Sequence, residues 1–173
     1  CMAVTAPADC GGDGTPTSWS AAVDEECFAF DGDDSDKRLM LISAGNIVPE
    51  DVDEQSFPEA NYAFSIEDPG QAWNAITVGA FASTAGTVFV GQTPFHSVAE
   101  IGDIAPCSRT SASWSSTWPV KPEICCEGGN YVTNGIDVDT HENLQRLTLS
   151  HTPDIKLFDV IGDTSAATAQ ASF

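Results

Sequence analysis

A serine at the start of an alanine-rich, helix-forming segment is the first residue whose setting suggests chemistry. Ser165 follows Gly162, Asp163 and Thr164, and the segment that it opens runs to residue 173. The first turn of a helix offers unbonded N–H groups and the positive end of the helix dipole, which stabilise an oxyanion. The pattern suits a nucleophilic serine, but a plain helix cap by Thr164 or Ser165 uses the same residue types and is the interpretation that this segment alone favours. Because the segment is not G-x-S-x-G, an α/β-hydrolase is not supported.

An asparagine gives the second candidate. Asn46 ends the segment Ser43-Ala44-Gly45-Asn46, which directly follows the apolar run of residues 39–42. Residues that handle ligands in open α/β sheets lie at the carboxyl ends of strands, so an amide donor is expected above the sheet here. An ordinary Gly-Asn turn is the alternative interpretation of the same four residues.

The elements that must position these residues alternate between strand and helix. Continuous apolar runs are typical of parallel strands that are covered on both faces. We expect helices at residues 17–28 and 164–173, buried strands at 39–42 and 75–81, and a short or edge strand at 120–125, which contains a proline. This order predicts a single α/β domain with a mostly parallel sheet.

The charge of the chain excludes several classes of partner. Six lysines and arginines stand against 26 aspartates and glutamates, which gives a net charge of −20 over 173 residues. Such a chain repels phosphate backbones and anionic lipid surfaces, so we expect neither nucleic acid nor membrane as a partner. Its apolar runs are also too short to span a bilayer. The compartment in which the protein works stays open.

Cysteines and histidines are the remaining candidates for metal binding or catalysis. They form neither a C-x-x-C pair nor a set with zinc spacing, and H-E-x-x-H is absent. We interpret most of the cysteines as small buried thiols and the histidines as solvated or locally hydrogen-bonded side chains. These residues are Cys1, Cys10, Cys27, Cys107, Cys125, Cys126, His96, His141 and His151, with His96 expected in a loop.

An acidic stretch at residues 31–36 has the composition of a calcium-binding loop. An EF-hand loop that begins at Asp31 would need Gly at its sixth position and Glu at its twelfth, where Asp36 and Ile42 stand. We therefore predict a solvated loop and no metal site, and leave a calcium ion open.

A series of segments, in the same order along the chain, resembles the subtilisin-like serine peptidases (subtilases). The matches are residues 2–5 to the strand N-[ML]-S-[LV], 43–46 to the A-G-N loop, 74–80 to N-x-I-x-V-G-A, 107–111 to F-S-x-x-G, 121–129 to K-P-D-[IV]-x-A-P-G, and 163–167 to G-T-S-x-A. The resemblance therefore runs nearly from end to end. Within the family, the chain most resembles a bacterial branch with the nucleophile motif G-D-T-S-A-A-T-A.

The resemblance implies a fold, an activity and a site. The fold would be a three-layer α/β sandwich with a mostly parallel central sheet, and the activity would be endopeptidase hydrolysis of peptides or proteins without an organic cofactor. Ser165 would be the nucleophile and Asn46 the oxyanion donor. The pocket for the residue before the cleaved bond would be walled by Ala3, Val4, Ser43, Ala44 and Gly45.

Three departures from the family pattern qualify this implication. Asp163 stands where Gly is usual, and Cys125-Cys126-Glu127 replaces the usual A-P. The family's D-[ST]-G and H-G-T motifs, which carry its catalytic Asp and His, do not occur. We therefore interpret residues 1–173 as the C-terminal part of a catalytic domain whose N-terminal part supplies both, and expect this part alone to be inactive. A non-catalytic subtilase-like binding or regulatory module remains the alternative, and an acidic cation-binding domain is a third.

Overall fold

The computed structural model describes residues 1–7, 12–28 and 37–173. Within them the chain forms two α-helices, nine strands and several short 3-10 turns. The α-helices are α1 (Ser18–Phe28) and α2 (Asp163–Ala171). The strands are β1 (Leu41–Ser43), β2 (Ile76–Phe81), β3 (Thr87–Val90), β4 (Thr93–Ser97), β5 (Ile124–Glu127), β6 (Tyr131–Thr133), β7 (Val138–Thr140), β8 (Arg146–Leu149) and β9 (Phe158–Ile161).

A three-stranded parallel sheet in the order β1-β2-β5 leads into the loop that carries Asn46, whereas Ser165 lies in the first turn of α2. Ser43 is in register with Val78, and Val78 with Ile124. Met2 extends the sheet beyond β1 through a parallel bridge to Ile42. The sheet confirms the strands expected near residues 39–42 and 75–81. The strand expected at 120–125 is short and at the edge of the sheet, as predicted, but it is shifted: β5 begins at Ile124, after the proline, and ends at Glu127.

The two helices pack against residues on opposite faces of this sheet. Val23 of α1 lies in one buried cluster with Ile42, whereas Ala167 of α2 lies in another with Val78 and Ala80. Ile42 is in register with residue 77, and successive side chains of a strand point to opposite faces, so the Ile42 and Val78 clusters are on different sides. The fold is therefore a mixed α/β fold with helical cover on both sides of its parallel strands.

Helix α1 begins where the sequence predicts it. Thr17 Oγ1 accepts a hydrogen bond from the Ser20 N–H at 3.1 Å, and Ser20 Oγ accepts one from the Thr17 N–H at 2.8 Å. This reciprocal pair satisfies donors that a helix start would otherwise leave unbonded. Cys27, expected on the apolar side of the helix, is buried there.

Six further strands pair antiparallel, which corrects the expectation of a strand–helix alternation along the whole chain. They form a four-stranded sheet in the order β3-β4-β6-β7 and a hairpin of β8 and β9. His96 consequently lies in strand β4 and not in a loop. The β3–β4 hairpin turns at Gly91, whose φ of +64° favours glycine. Val88 and Phe95 pack together across this hairpin and contribute to its small core.

Some sequence expectations concern residues that the structure does not describe. Cys10 and the acidic stretch 31–36 lie outside the described ranges. The described cysteines are free thiols, but only Cys27 and Cys107 are buried. Cys1 and Cys125 are exposed and Cys126 is half-buried, which corrects the expectation that most would be buried. No helix in the described ranges combines the length and the apolar character that a membrane span requires.

Candidate active site

Asn46 lies just beyond the carboxyl end of β1, with its side-chain orientation fixed by Thr164. Its Oδ1 accepts hydrogen bonds from the Thr164 N–H at 3.0 Å and from the Thr164 hydroxyl at 2.7 Å. A backbone N–H can only donate, so the atom facing Thr164 must be the oxygen. The Nδ2 group therefore faces the other way, and no described residue accepts a hydrogen bond from it.

The first turn of α2 leaves one backbone donor unused. The Asp163 N–H donates to Gly128 O at 2.7 Å, and the Thr164 N–H donates to Asn46 Oδ1. The Ser165 N–H has no acceptor among the described residues, and the Ser165 hydroxyl has no partner there either. Ser165 and Asn46 are both only partly buried. The Ser165 hydroxyl and N–H therefore have no partner among the described residues, and they follow directly after Thr164, which binds Asn46 Oδ1.

Asp163 has a backbone conformation that explains why glycine is usual at this position. Its φ is +66°, in the left-handed region that L-residues other than Asn and Asp rarely adopt. The carboxyl group points inward, where its Oδ1 accepts a hydrogen bond from the Tyr131 hydroxyl at 3.2 Å. Burial raises the pKa of Asp163, although the hydrogen bonds from Tyr131 and Cys107 act in the opposite direction. Burial, and then the nearby Asp163 charge, also raise the pKa of Cys107.

Arg109 is hydrogen-bonded to the backbone of Asn46. Its Nε donates to Asn46 O at 2.9 Å, and its Nη1 donates to Ser65 O at 3.2 Å. Its Nη2 lies 3.0 Å from Glu67 Oε1 in a largely buried ion pair. The neighbouring residue, Ser108, forms an antiparallel bridge with Asn46. One guanidinium group therefore joins the candidate oxyanion donor to two other segments.

The sequence pattern of the Subtilase family matches residues 1–173. The chain belongs to the Subtilase family. Membership supports serine peptidase activity in general, with peptides or proteins as substrates. A comparison with curated proteins gave no match.

The segments expected to bind substrate in this subtilase lie side by side. The Met2 N–H donates to Leu41 O at 2.8 Å, and the Ser43 N–H donates to Met2 O at 3.1 Å. Ala3 and Val4 follow Met2 and are exposed, with Val4 at 64% of its full accessibility. Ser43, Ala44 and Gly45 are buried. Their role as pocket walls remains a prediction.

Two of the histidines have local hydrogen-bond partners and the third is exposed, in agreement with their interpretation from sequence. His96 Nδ1 is 2.9 Å from Thr87 Oγ1 on the neighbouring strand. His141 Nδ1 accepts a hydrogen bond from the Asn143 N–H at 3.2 Å, and His151 is exposed. In the ranges that the structure covers, none of them is hydrogen-bonded to Ser165. The described residues also contain no group of three or more His, Cys, Asp or Glu side chains able to hold a metal ion.

Tyr131, Arg109 and Glu67 are the site residues that the sequence did not single out for a role. Each acts through a contact with a residue that is distant in sequence: Tyr131 with Asp163, Arg109 with Asn46, and Glu67 with Arg109. The sequence offered one indication, the departure from glycine at Asp163, because a carboxylate at a buried helix start needs a donor.

Proposed function

We propose that this subtilase chain carries the nucleophile and the oxyanion donors of a serine endopeptidase. The observation that supports it most directly is the bond from the Thr164 N–H to Asn46 Oδ1. That bond joins the Asn46 loop to the residue before Ser165 and leaves Asn46 Nδ2 unused, and the Ser165 N–H has no acceptor among the described residues either. Two donors near a hydroxyl are what the tetrahedral intermediate of acyl transfer requires.

In the proposed reaction, Ser165 Oγ attacks the carbonyl carbon of the scissile bond. Its proton passes to a histidine, which then gives it to the leaving amine, and the acyl group stays on Ser165 Oγ. A water molecule, deprotonated by the same histidine, releases the carboxylic acid and restores the serine. Asn46 Nδ2 and the Ser165 N–H donate to the negatively charged oxygen in both steps.

The histidine and its orienting aspartate belong, in this proposal, to an N-terminal part of the same polypeptide. The proposal rests on the sequence, which contains neither H-G-T nor D-[ST]-G. It also rests on the local partners of His96 and His141 and on the exposure of His151. That part would complete a three-layer sandwich around the central sheet. The helices on opposite faces of the three parallel strands support this architecture. The motif G-D-T-S-A-A-T-A supports a place in the bacterial branch. The net charge of −20 argues against nucleic acid and against a membrane as partners.

A fluorophosphonate probe tests the proposal, because it labels only a serine that a base has activated. The complete polypeptide should be labelled and should hydrolyse peptides, whereas Ser165→Ala should do neither. Ser172→Ala changes an exposed serine at the end of the same helix and should behave like the wild type. Residues 1–173 alone should give no labelling.

Two outcomes would contradict the proposal. Labelling of Ser165 in residues 1–173 alone would show that a histidine of this chain serves as the base. A complete polypeptide that is not labelled, and whose upstream sequence lacks both motifs, would favour the non-catalytic binding or regulatory module.

A further inference from the structure

The two segments expected to bind substrate, residues 3–4 and 43–45, are no longer hydrogen-bonded to each other after Met2 and Ser43. A third segment, which contains Glu67 and Asp68, lies between them. On one side, the Glu67 N–H donates to Ala44 O at 3.0 Å. On the other, Asp68 and Ala6 exchange two backbone hydrogen bonds of 2.9 and 3.0 Å. Glu67 and Asp68 therefore lie across the far end of the groove between the two segments.

The side chain of Glu67 fills this closed end. A Cβ atom added to Gly45 would lie 2.5 Å from Glu67 Cγ and 2.6 Å from Oε2, so the Glu67 side chain occupies the space that a residue larger than glycine would need. The φ of Gly45 is +90°, which also favours glycine. Glu67 Oε2 accepts a hydrogen bond from the Thr5 hydroxyl at 2.5 Å, which joins the side chain to the opposite wall.

The charge of this carboxylate is already compensated. Oε1 is paired with Arg109 Nη2 at 3.0 Å, and the Glu67 side chain is only 13% exposed. A positively charged substrate side chain would gain no net charge attraction, because Arg109 neutralises Glu67. A long apolar side chain would have to displace a buried ion pair, and removing one partner of such a pair is strongly unfavourable.

We propose that Glu67 forms the base of the primary specificity pocket and restricts the substrate residue before the cleaved bond to a small side chain such as Gly, Ala or Ser. This inference rests on the proposed function, since it assigns a substrate class to the same site. Glu67 would be a specificity residue through its volume, with Arg109 and Thr5 keeping its side chain in place.

Tetrapeptide p-nitroanilides that differ only in the last residue test the inference on the complete polypeptide. The wild type should cleave the alanine substrate with a kcat/KM at least tenfold above that of the leucine, phenylalanine or lysine substrate. Glu67→Gln keeps the volume and should keep this ratio. Glu67→Ala empties the space and should shift the ratio of leucine to alanine at least tenfold towards leucine, a size effect typical of one to several methylene groups.

A second variant covers the case in which Glu67→Ala does not fold, since that change leaves Arg109 without its partner. Glu67→Asp keeps the negative charge but shortens the side chain by one methylene group. It should move the preference in the same direction by a smaller factor. A wild type that prefers leucine, phenylalanine or lysine, or an unchanged preference in both Glu67→Ala and Glu67→Asp, would overturn the inference while leaving the endopeptidase proposal intact.

Binding to the Ser165→Ala variant separates the inference from the proposed function. Product-like tetrapeptide acids ending in Ala or Phe can be compared by calorimetry without any turnover. Tighter binding of the Ala peptide, with a smaller advantage over the Phe peptide when Glu67→Asp is added, would support the inference even if the polypeptide hydrolysed nothing. Equal binding of the two peptides would overturn it.

Discussion

The start of α2 and the β8–β9 hairpin are adjacent in sequence but are held in different ways. At the helix start, the Thr164 N–H and hydroxyl bind Asn46, which is 118 residues away. In the hairpin, Arg146 to Leu149 pair in register with the strand that follows about ten residues later. The apolar side chains of the hairpin are largely exposed, with Leu147 at 70% and Leu149 at 77%.

This difference separates a site fixed by polar contacts from an element fixed by its own backbone ladder. A buried polar group that loses its partner costs about 1–3 kcal/mol, and a catalytic group that moves costs rate as well. Replacing an exposed side chain on a locally paired strand incurs neither of these costs. Substitutions that remove similar numbers of atoms should therefore lower stability and activity much more near Asn46 than in the hairpin.

The largest expected effect is that of Asn46→Ala in the complete polypeptide. Loss of the Nδ2–H donor should lower kcat by about 10²–10³ with little change in KM, a magnitude known from subtilisin itself. Asn46→Asp keeps an acceptor for Thr164 but replaces the donor, so kcat should fall at least as far while the melting temperature stays closer to that of the wild type. Unchanged turnover on a peptide substrate would show that Asn46 is not the donor.

A smaller loss is expected for Arg109→Met, because Arg109 positions the backbone of Asn46 without touching the substrate. We expect kcat to fall about tenfold, since small displacements of a catalytic group are costly. Arg146→Met removes a comparable ion pair, between Arg146 and Glu127 in the hairpin region. If the two variants lose similar stability but only Arg109→Met has a lower kcat, the contrast between the Asn46 region and the hairpin is supported. An equal loss of kcat in both variants would contradict it.

The next prediction concerns pH and the Asp163 carboxyl. Burial raises its pKa in the folded protein, so the folded state binds its proton more tightly than the unfolded state. The stability from this group is present below its ordinary pKa of 3.8 and is lost as pH rises through the folded value. Asp163→Asn tolerates the positive φ and has no such titration. Denaturant unfolding at pH 4 and pH 7 should therefore show the wild type losing stability relative to Asp163→Asn at the higher pH.

A result with the opposite sign would mean that the hydrogen bonds from Tyr131 and Cys107 outweigh burial. Tyr131→Phe provides the control, because it removes the hydroxyl that donates to Asp163. This variant should raise the pKa of the carboxyl further and steepen the loss of stability with pH.

The smallest effect is expected for Leu149→Thr in the hairpin. The side chain is 77% exposed, so the free energy of unfolding should change by no more than about 0.5 kcal/mol. Ile42→Val deletes one methylene group from a fully buried residue of the parallel sheet and should cost about 0.5–1.5 kcal/mol. A cost above about 2 kcal/mol for Leu149→Thr in the complete polypeptide would show that another segment covers the hairpin.

The predictable part of the fold follows from local patterns. Continuous apolar runs identified β1 and β2, and the spacing of apolar residues with a threonine cap identified α1. The antiparallel strands escaped prediction because they are short, and β4 contains Pro94 and buries only Phe95, so it lacks the alternation that is typical of a half-buried strand. Whether such a short segment forms a strand depends on its partner strand and on the turn between them, and the segment's own sequence does not identify that partner.

The sequence by itself determined the family, the charge, the principal helices and the two candidate residues Ser165 and Asn46. It did so because motif order, composition and periodicity are properties of the chain. Only the tertiary structure decided which Asn46 atom faces Thr164, what supports Asp163, and that Glu67 lies against Gly45. These facts depend on hydrogen bonds and contacts between residues that are distant in sequence, and such contacts exist only once the strands and helices have packed.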